Sequence, residues 1–195
     1  MTSLVFASNN PYKIEEIRVI LGPDFHLSGL ESLHINEDIP EPYQTLEENA
    51  LAKARYVYEK CNFPCFADDT GLEVKALHGE PGVLSARYAG PDKNSEANMQ
   101  KLLHQMRNIS DRRARFRTVI AYIDKDGEFL FEGRANGHIG QHACGEAGFG
   151  YDPIFIPDGY DLTFAQMDAA LKNTISHRQA AVTKLTAFLK HKFST

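Results

Sequence analysis

The sequence predicts an α/β fold, because strand-like and helix-like segments alternate along its 195 residues. The apolar run Leu4–Ala7 is followed by Ile14, Ile17, Ile20 and Leu21 at helical spacing. A second amphipathic stretch from Thr45 precedes another apolar run that ends at Ala67. Further along, Phe116–Ile123 and Glu128–Ala135 flank Asp124-Lys125-Asp126-Gly127, a strong hairpin signal.

Leu4–Ala7 reads as a strand that leads through Ser8-Asn9-Asn10-Pro11-Tyr12-Lys13 into a helix. Asn10 suits the N-cap and Pro11 the first helical position, where a missing N–H costs nothing. Unpaired N–H groups, the positive end of the helix dipole and Lys13 would converge there on an anion. The Gly-Lys-Ser/Thr ending of a Walker loop is absent.

Leu27–Ile39 reads as irregular, and Pro40 and Pro42 bracket Glu41. Thr45-Leu46-Glu47-Glu48 makes a capping box, with Leu46, Ala50, Ala54 and Val57 as the buried stripe of the helix it opens. Glu48 is then a cap. Glu41 has no such local job and is the better candidate for a metal carboxylate. Lys53 lies beside the stripe and, taken alone, reads as a surface lysine.

The centre of the chain is Phe66-Ala67-Asp68-Asp69-Thr70-Gly71-Leu72. If Cys65–Ala67 is a buried strand, the aspartates stand where it leaves the sheet and Gly71 permits a sharp turn. Such a carboxylate pair seats a hard cation such as Mg2+. On these residues alone, Asp-Asp-Thr-Gly reads first as a solvated turn. Leu72–Val74 can extend again, and Gly79–Tyr88 is a Gly/Pro-punctuated loop. Ser95–Met106 reads as a helix capped by Ser95, with Leu102, Leu103 and Met106 buried. Arg112–Arg117 reads as a solvated strand face. His138 and His142 read as unrelated histidines.

Gly145–Asp152 places Phe149 and Tyr151 in flexible backbone. Either could stack on a base, or both could belong to the core. Ser176-His177-Arg178-Gln179 is a second capping box, opening a helix with Ala181, Leu185, Phe188 and Leu189 buried. A cationic Arg178 in a first helical turn opposes the dipole unless it faces an acceptor, which points to a ligand.

Composition bounds the function. A net charge of -5 argues against a nucleic-acid polymer as partner. Three cysteines without a Cys-x-x-Cys pair suggest neither a disulfide framework nor a zinc site. The N-terminal apolar run is too short for a membrane span, so no membrane is expected and the location reads as cytoplasmic. No repeat or linker interrupts the chain, which reads as one domain over 1–195.

Taken together, these blocks resemble the inosine triphosphate pyrophosphatase family, whose members hydrolyse non-standard purine nucleoside triphosphates. The blocks are Ser8–Lys13, Glu48-Asn49-Ala50 with Lys53, Ala67–Leu72, Pro81-Gly82 with Ser85-Ala86-Arg87-Tyr88, Phe149–Pro153, Lys172-Asn173 and Ser176–Arg178. They stand in the family's order from Leu4 to about Leu189. Asn9 departs from the glycine frequent at its position, and Thr70 from serine.

The resemblance implies a long mixed sheet flanked by helices, two lobes with the active-site cleft between them, and a homodimer. It implies Mg2+-dependent hydrolysis of ITP, dITP and XTP to monophosphate and pyrophosphate. Asp69 would be the catalytic base and a metal ligand with Glu41, while Asp68 remains the alternative base. Ser8, Asn9, Asn10, Pro11, Tyr12, Lys13, Lys53 and Thr70 would contact the nucleotide. Phe149, Gly150, Tyr151, Asp152, Lys172, His177 and Arg178 would contact base and sugar. A guanidinium only donates hydrogen bonds, so Arg178 would favour a 6-oxo purine over adenine.

Adjacent aspartates are wrongly spaced for the Asp-x-Asp-x-Thr pattern of an aspartyl-phosphate phosphatase. A silent nucleotide sensor and a pyrimidine-directed enzyme are the other rivals.

Overall fold

Strand and helix alternate as expected in the structure, a computed structural model that describes residues 2–35, 37 and 39–193. The strands are β1 (Thr2–Phe6), β2 (Phe25–Ser28), β3 (Cys65–Val74), β4 (Pro81–Gly82), β5 (Arg113–Asp124), β6 (Gly127–Ile139) and β7 (Phe155–Pro157). The helices are α1 (Pro11–Leu21), α2 (Leu46–Cys61), α3 (Ser95–Met106), α4 (Ala169–Ile175) and α5 (His177–Phe193). The seven strands form one mixed sheet in the order β2-β1-β3-β5-β6-β7, with β4 added to β3. β1 runs parallel to β2 and β3, whereas β3–β4 and β6–β7 are antiparallel.

The chain divides into two compact units. The first comprises Met1–Asp69, Thr118–Gly133 and Arg178–Thr195; the second comprises Thr70–Arg117 and Arg134–His177. Each gathers separate stretches, so no single point in the sequence divides them. The first unit buries Leu4, Phe6, Ile17, Phe66, Ile120, Tyr122, Ala181 and Leu185. Phe6 of β1 stacks on Phe66 of β3, ring centroids 4.8 Å apart. The second unit buries Leu72, Val74, Leu102, Met106, Phe116, Phe155 and Phe164. Burial of such side chains contributes about 1.5–3 kcal/mol each.

Five expectations are corrected. The stretch 27–39 was expected to be irregular, but it carries the end of β2 and a short 3-10 turn at Leu30–Leu33; residues 36 and 38 lie outside the described residues. Parallel pairing with β1 decides β2, and no local signal marks it. β3 does not end at Ala67. It continues through both aspartates to Val74, because Leu72 and Glu73 pair with Gly82 and Pro81 of β4. Gly71 is therefore not a turn: a Cβ there would lie 2.6 Å from the carbonyl oxygen of Gly82, so glycine is needed for the close approach of two backbones. Asn94, not Ser95, caps α3, accepting the Ala97 N–H. Leu103 is only partly buried beside Leu102 and Met106.

The cap of α1 matches the reading, and so does the Thr45 half of the α2 box, whereas the Glu48 carboxylate takes the Thr45 hydroxyl instead of a backbone N–H. Asn10 accepts N–H bonds from Tyr12 and Lys13, with Pro11 at the first helical position. Thr45 accepts the Glu48 N–H, and its hydroxyl donates to the Glu48 carboxylate at 2.7 Å. The hairpin also forms, with Lys125 and Asp126 between β5 and β6. Among the described residues, no helix is long and apolar enough to cross a membrane.

Candidate active site

Successive residues of a strand point to opposite faces, and β3 uses this to give its two buried aspartates different partners. Asp68 Oδ1 accepts from Lys13 Nζ at 2.8 Å, and Asp68 Oδ2 lies 3.6 Å from Arg178 Nη2. Asp69 Oδ1 lies 3.6 Å from Lys53 Nζ. Burial opposes ionisation of Asp68, but Lys13, Arg178 and Lys53 outweigh it and hold the carboxyl well below the usual carboxylate range. Asp69 moves the other way. Burial pushes it up against the pull of Lys53, the negative charges of Glu41 and Asp68 reinforce burial, and the result is about 6. Two adjacent carboxylates thus become a fixed anion and a group poised near neutrality.

Lys53 is buried rather than a surface lysine, and its ammonium is hydrogen-bonded to Glu41. Burial works against its charge, but Asp69, Glu41 and Asp68 raise its pKa above the ordinary value, so it remains a cation. Two residues past Glu41, the Tyr43 backbone is held by Asn49 of α2, whose side chain accepts the Tyr43 N–H at 3.0 Å and donates to the Tyr43 carbonyl at 3.2 Å. Lys53 therefore links the two carboxylates expected to hold a metal. Glu41 and Asp69 are hard oxygen donors and fit Mg2+, which needs one or two carboxylates when water and phosphate oxygens fill its other positions. No group of three or more His, Cys, Asp or Glu side chains able to hold a metal occurs among the described residues.

The Ser8–Lys13 loop is ordered internally. Ser8 Oγ accepts the Asn10 N–H at 3.2 Å, while Asn10 Oδ1 accepts the N–H groups of Tyr12 and Lys13 at 3.0 and 3.2 Å. This corrects the expectation of unpaired amides: the Asn10 cap occupies both, and Pro11 has none. The loop's cationic contribution is the Lys13 ammonium. Asn9, Pro11 and Tyr12 are exposed, and Ser8 is half-buried.

In the second unit, Asp152 and Lys172 form a buried ion pair at 2.8 Å. Asp152 Oδ2 also accepts the Phe149 N–H at 2.8 Å, and Lys172 Nζ lies 5.2 Å from the centre of the half-buried Phe149 ring. Gly148 and Gly150, at φ +76° and +64°, adopt the left-handed backbone this loop requires. Tyr151 decides the open choice for its own ring: it is buried in the core, with its hydroxyl donating to the Ser85 carbonyl at 2.8 Å. His177 is buried and stacked on Phe116, ring centroids 4.6 Å apart. Thr70 is half-buried.

Arg178 belongs to the first unit, is only 1% exposed, and is hydrogen-bonded to Glu16 of α1 as well as lying near Asp68. The unfavourable charge in the first turn of α5 thus has protein acceptors, and the argument that it must face a ligand loses its premise. Asn49 and Ser85, which stand in the motif blocks without an expected role, support the site, and so do Glu16 and Thr163, which stand outside the blocks. Only Thr163 carries a local signal, a capping box with Gln166. Its hydroxyl donates to the Cys144 carbonyl at 2.7 Å, at the root of the glycine-rich loop.

The chain matches the model of the Ham1 family over residues 4–188. It is 52% identical to the dITP/XTP pyrophosphatase of Porphyromonas gingivalis, covering 97% of this chain and 98% of that protein. It is 46% identical to the dITP/XTP pyrophosphatase of Staphylococcus aureus, covering 97% of each. The solved Ham1 protein of Staphylococcus aureus superposes with a TM-score of 0.89 at 45% identity, covering 98% of this chain and all of that one. The Coxiella burnetii HAM1 protein gives a TM-score of 0.90 at 35% identity, covering 98% of this chain and 100% of that chain. With its full-length match, near-half identity and shared fold, this chain belongs to the Ham1 family.

Proposed function

We propose that this chain hydrolyses non-standard purine nucleoside triphosphates (ITP, dITP and XTP) to the monophosphate and pyrophosphate with Mg2+. The observation that carries the reading is the division of labour on β3, where Asp68 is locked by Lys13 and Arg178 while Asp69 is raised toward 6 beside Lys53 and Glu41. The relatives named dITP/XTP pyrophosphatase support the substrate class.

Asp69 is the better general base, because Asp68 is locked to Lys13 and Arg178 and held well below the usual carboxylate range, while burial and Glu41 raise Asp69. Asp69 takes the proton of the water whose oxygen attacks the α-phosphorus, and the bond from that phosphorus to the departing pyrophosphate oxygen breaks. Lys13 and Lys53 balance the triphosphate charge in an otherwise acidic protein. Mg2+ held by Glu41 and Asp69 would supply further neutralisation of the phosphate oxygens and the leaving pyrophosphate.

For the base, the Asp152–Lys172 pair offers an acceptor beside a donor. Hypoxanthine and xanthine present N1–H and O6, the complementary order, and so does guanine, whereas adenine presents the reverse, so this pair selects against ATP and leaves GTP to another contact. We therefore assign O6 to Lys172 rather than Arg178, with Phe149 as stacking surface and His177, Gly150 and Thr70 as further contacts. A homodimer and a cytoplasmic location complete the proposal.

The test is product analysis with ITP, XTP, GTP and ATP, with Mg2+ or EDTA, assaying pyrophosphate and orthophosphate separately. Metal-dependent pyrophosphate from ITP and XTP, with little from ATP or GTP, is expected. Orthophosphate, or binding without turnover, would overturn the reading.

A further inference from the structure

Within the second unit, one serine ties three segments of chain together. The Leu72 N–H of β3 donates to Ser85 Oγ at 2.9 Å, and the Ser85 hydroxyl donates to the Gly82 carbonyl at 2.6 Å. The Ser85 carbonyl accepts the Tyr151 hydroxyl at 2.8 Å. Ser85 is 8% exposed and Tyr151 4%; the bonds to Leu72 and Tyr151 are buried and the one to Gly82 is part-buried, so losing Leu72's or Tyr151's partner would leave a buried polar group. Burial, with Tyr88 close by, pushes the Tyr151 phenol up, so the hydroxyl stays a donor. Gly71 and Gly82 lie backbone against backbone at the same place, which leaves little room for slack.

The glycine-rich loop 145–152 runs up to that tyrosine. Its root is held by the Cys144 N–H on the Pro153 carbonyl (2.8 Å), the Thr163 hydroxyl on the Cys144 carbonyl and the Ala147 N–H on the Ala165 carbonyl (3.2 Å). Beyond Ala147, the loop passes through two left-handed glycines before Tyr151 anchors it. The Phe149 backbone and the Asp152 carboxylate that accepts its N–H lie on either side of that anchor.

We propose that Tyr151 and Ser85 are positioning residues that hold the Phe149–Asp152 segment in register with the end of β3, and that this junction sets selectivity for the purine base. Tyr151 is thereby removed from the stacking surface and given a structural connection to the strand that carries Thr70. The selectivity half rests on the base-reading role proposed above for Phe149, Asp152 and Lys172; the junction itself does not.

Tyr151→Phe deletes a single hydroxyl and keeps the ring. Hydrogen exchange of the full-length variant, without nucleotide, should show amides in 145–152 exchanging about fivefold faster, the loss of one net hydrogen bond. Ser85→Ala should speed exchange at Leu72 and in 145–152 together. In turnover, Tyr151→Phe should raise KM for ITP and lower the ITP-to-ATP ratio of kcat/KM by about fivefold. A merely structural role would reduce both substrates by one factor. Equal losses for ITP and ATP overturn the selectivity half, and unchanged exchange in 145–152 overturns the junction. A wild-type protein that releases no pyrophosphate from ITP overturns the function and the selectivity with it, while exchange still decides the junction.

Discussion

Arg178 and Glu16, 162 residues apart in sequence, form a hydrogen-bonded ion pair in which the arginine is almost completely buried. With Asp68 on its other side, Arg178 joins α1, β3 and α5 of the first unit. Removing it would take the buried guanidinium away from Glu16 and leave Asp68 to Lys13. We predict that Arg178→Ala destabilises the protein by about 3–5 kcal/mol, the cost of breaking a buried pair. At this chain length that lowers the thermal midpoint by roughly 10 °C. Arg178→Lys should recover only part of the loss, because an ammonium cannot reproduce the planar fork. Unfolding followed by circular dichroism checks this, and a midpoint that stays put would refute it.

Glu41 and Asp69 converge on Lys53. Glu41→Gln keeps the shape and removes one charge from the proposed metal position. The Mg2+ concentration giving half-maximal pyrophosphate release should rise by about tenfold. If the metal requirement is unaltered, Glu41 serves only to place Lys53.

Lys192 of α5 pairs with Asp124 at 2.5 Å and with Asp126 at 2.9 Å at the tip of the hairpin. Burial alone would raise Asp124, but Lys192, the Asp126 N–H and Tyr122 bring it below its ordinary value of 3.8. The stability from this depression is complete above that value and disappears as pH falls through the lower native one. Lys192 is raised above its ordinary 10.5, so its own contribution holds below that pH and fades above the native value. Lys192→Met should therefore cost about 1 kcal/mol near pH 7. The gap from wild type should close toward pH 3. Urea titrations across that range measure it; a gap independent of pH would mean that the lysine acts through its contacts with Phe129 and Phe188.

All three cysteines are free. The Cys65 thiol is fully buried and donates to the Ala54 carbonyl at 3.3 Å, while burial pushes its pKa up to about 12. Cys61 and Cys144 are half-buried. Ellman's reagent at pH 8 should therefore titrate Cys61 and Cys144 in the native protein and reach Cys65 only after denaturation, because the thiolate is the reactive species. Peptide mapping of the labelled protein identifies the thiols; early modification of Cys65 would contradict the buried placement.

The local parts of this protein are legible in its residues alone. Asn10-Pro11 and Thr45–Glu48 mark the starts of α1 and α2, Asp124–Gly127 marks the hairpin, and Leu46, Ala50, Ala54 and Val57 mark a buried face. These features act over a few residues, and the chemistry of those residues suffices to read them. The ordered motif blocks pointed to the family for the same reason. Only the tertiary structure decided that β3 runs on through Asp68 and Asp69, because pairing with β4 overrides the turn chemistry of Thr70-Gly71. It also buried Lys53, turned Tyr151 into the core and supplied Arg178 with carboxylates from α1 and β3. A buried charge takes its energy and its protonation from whichever partners the fold brings within a few ångströms. For Arg178 and Tyr151 those partners lie 162 and 66 positions away in the chain, beyond the reach of any local pattern.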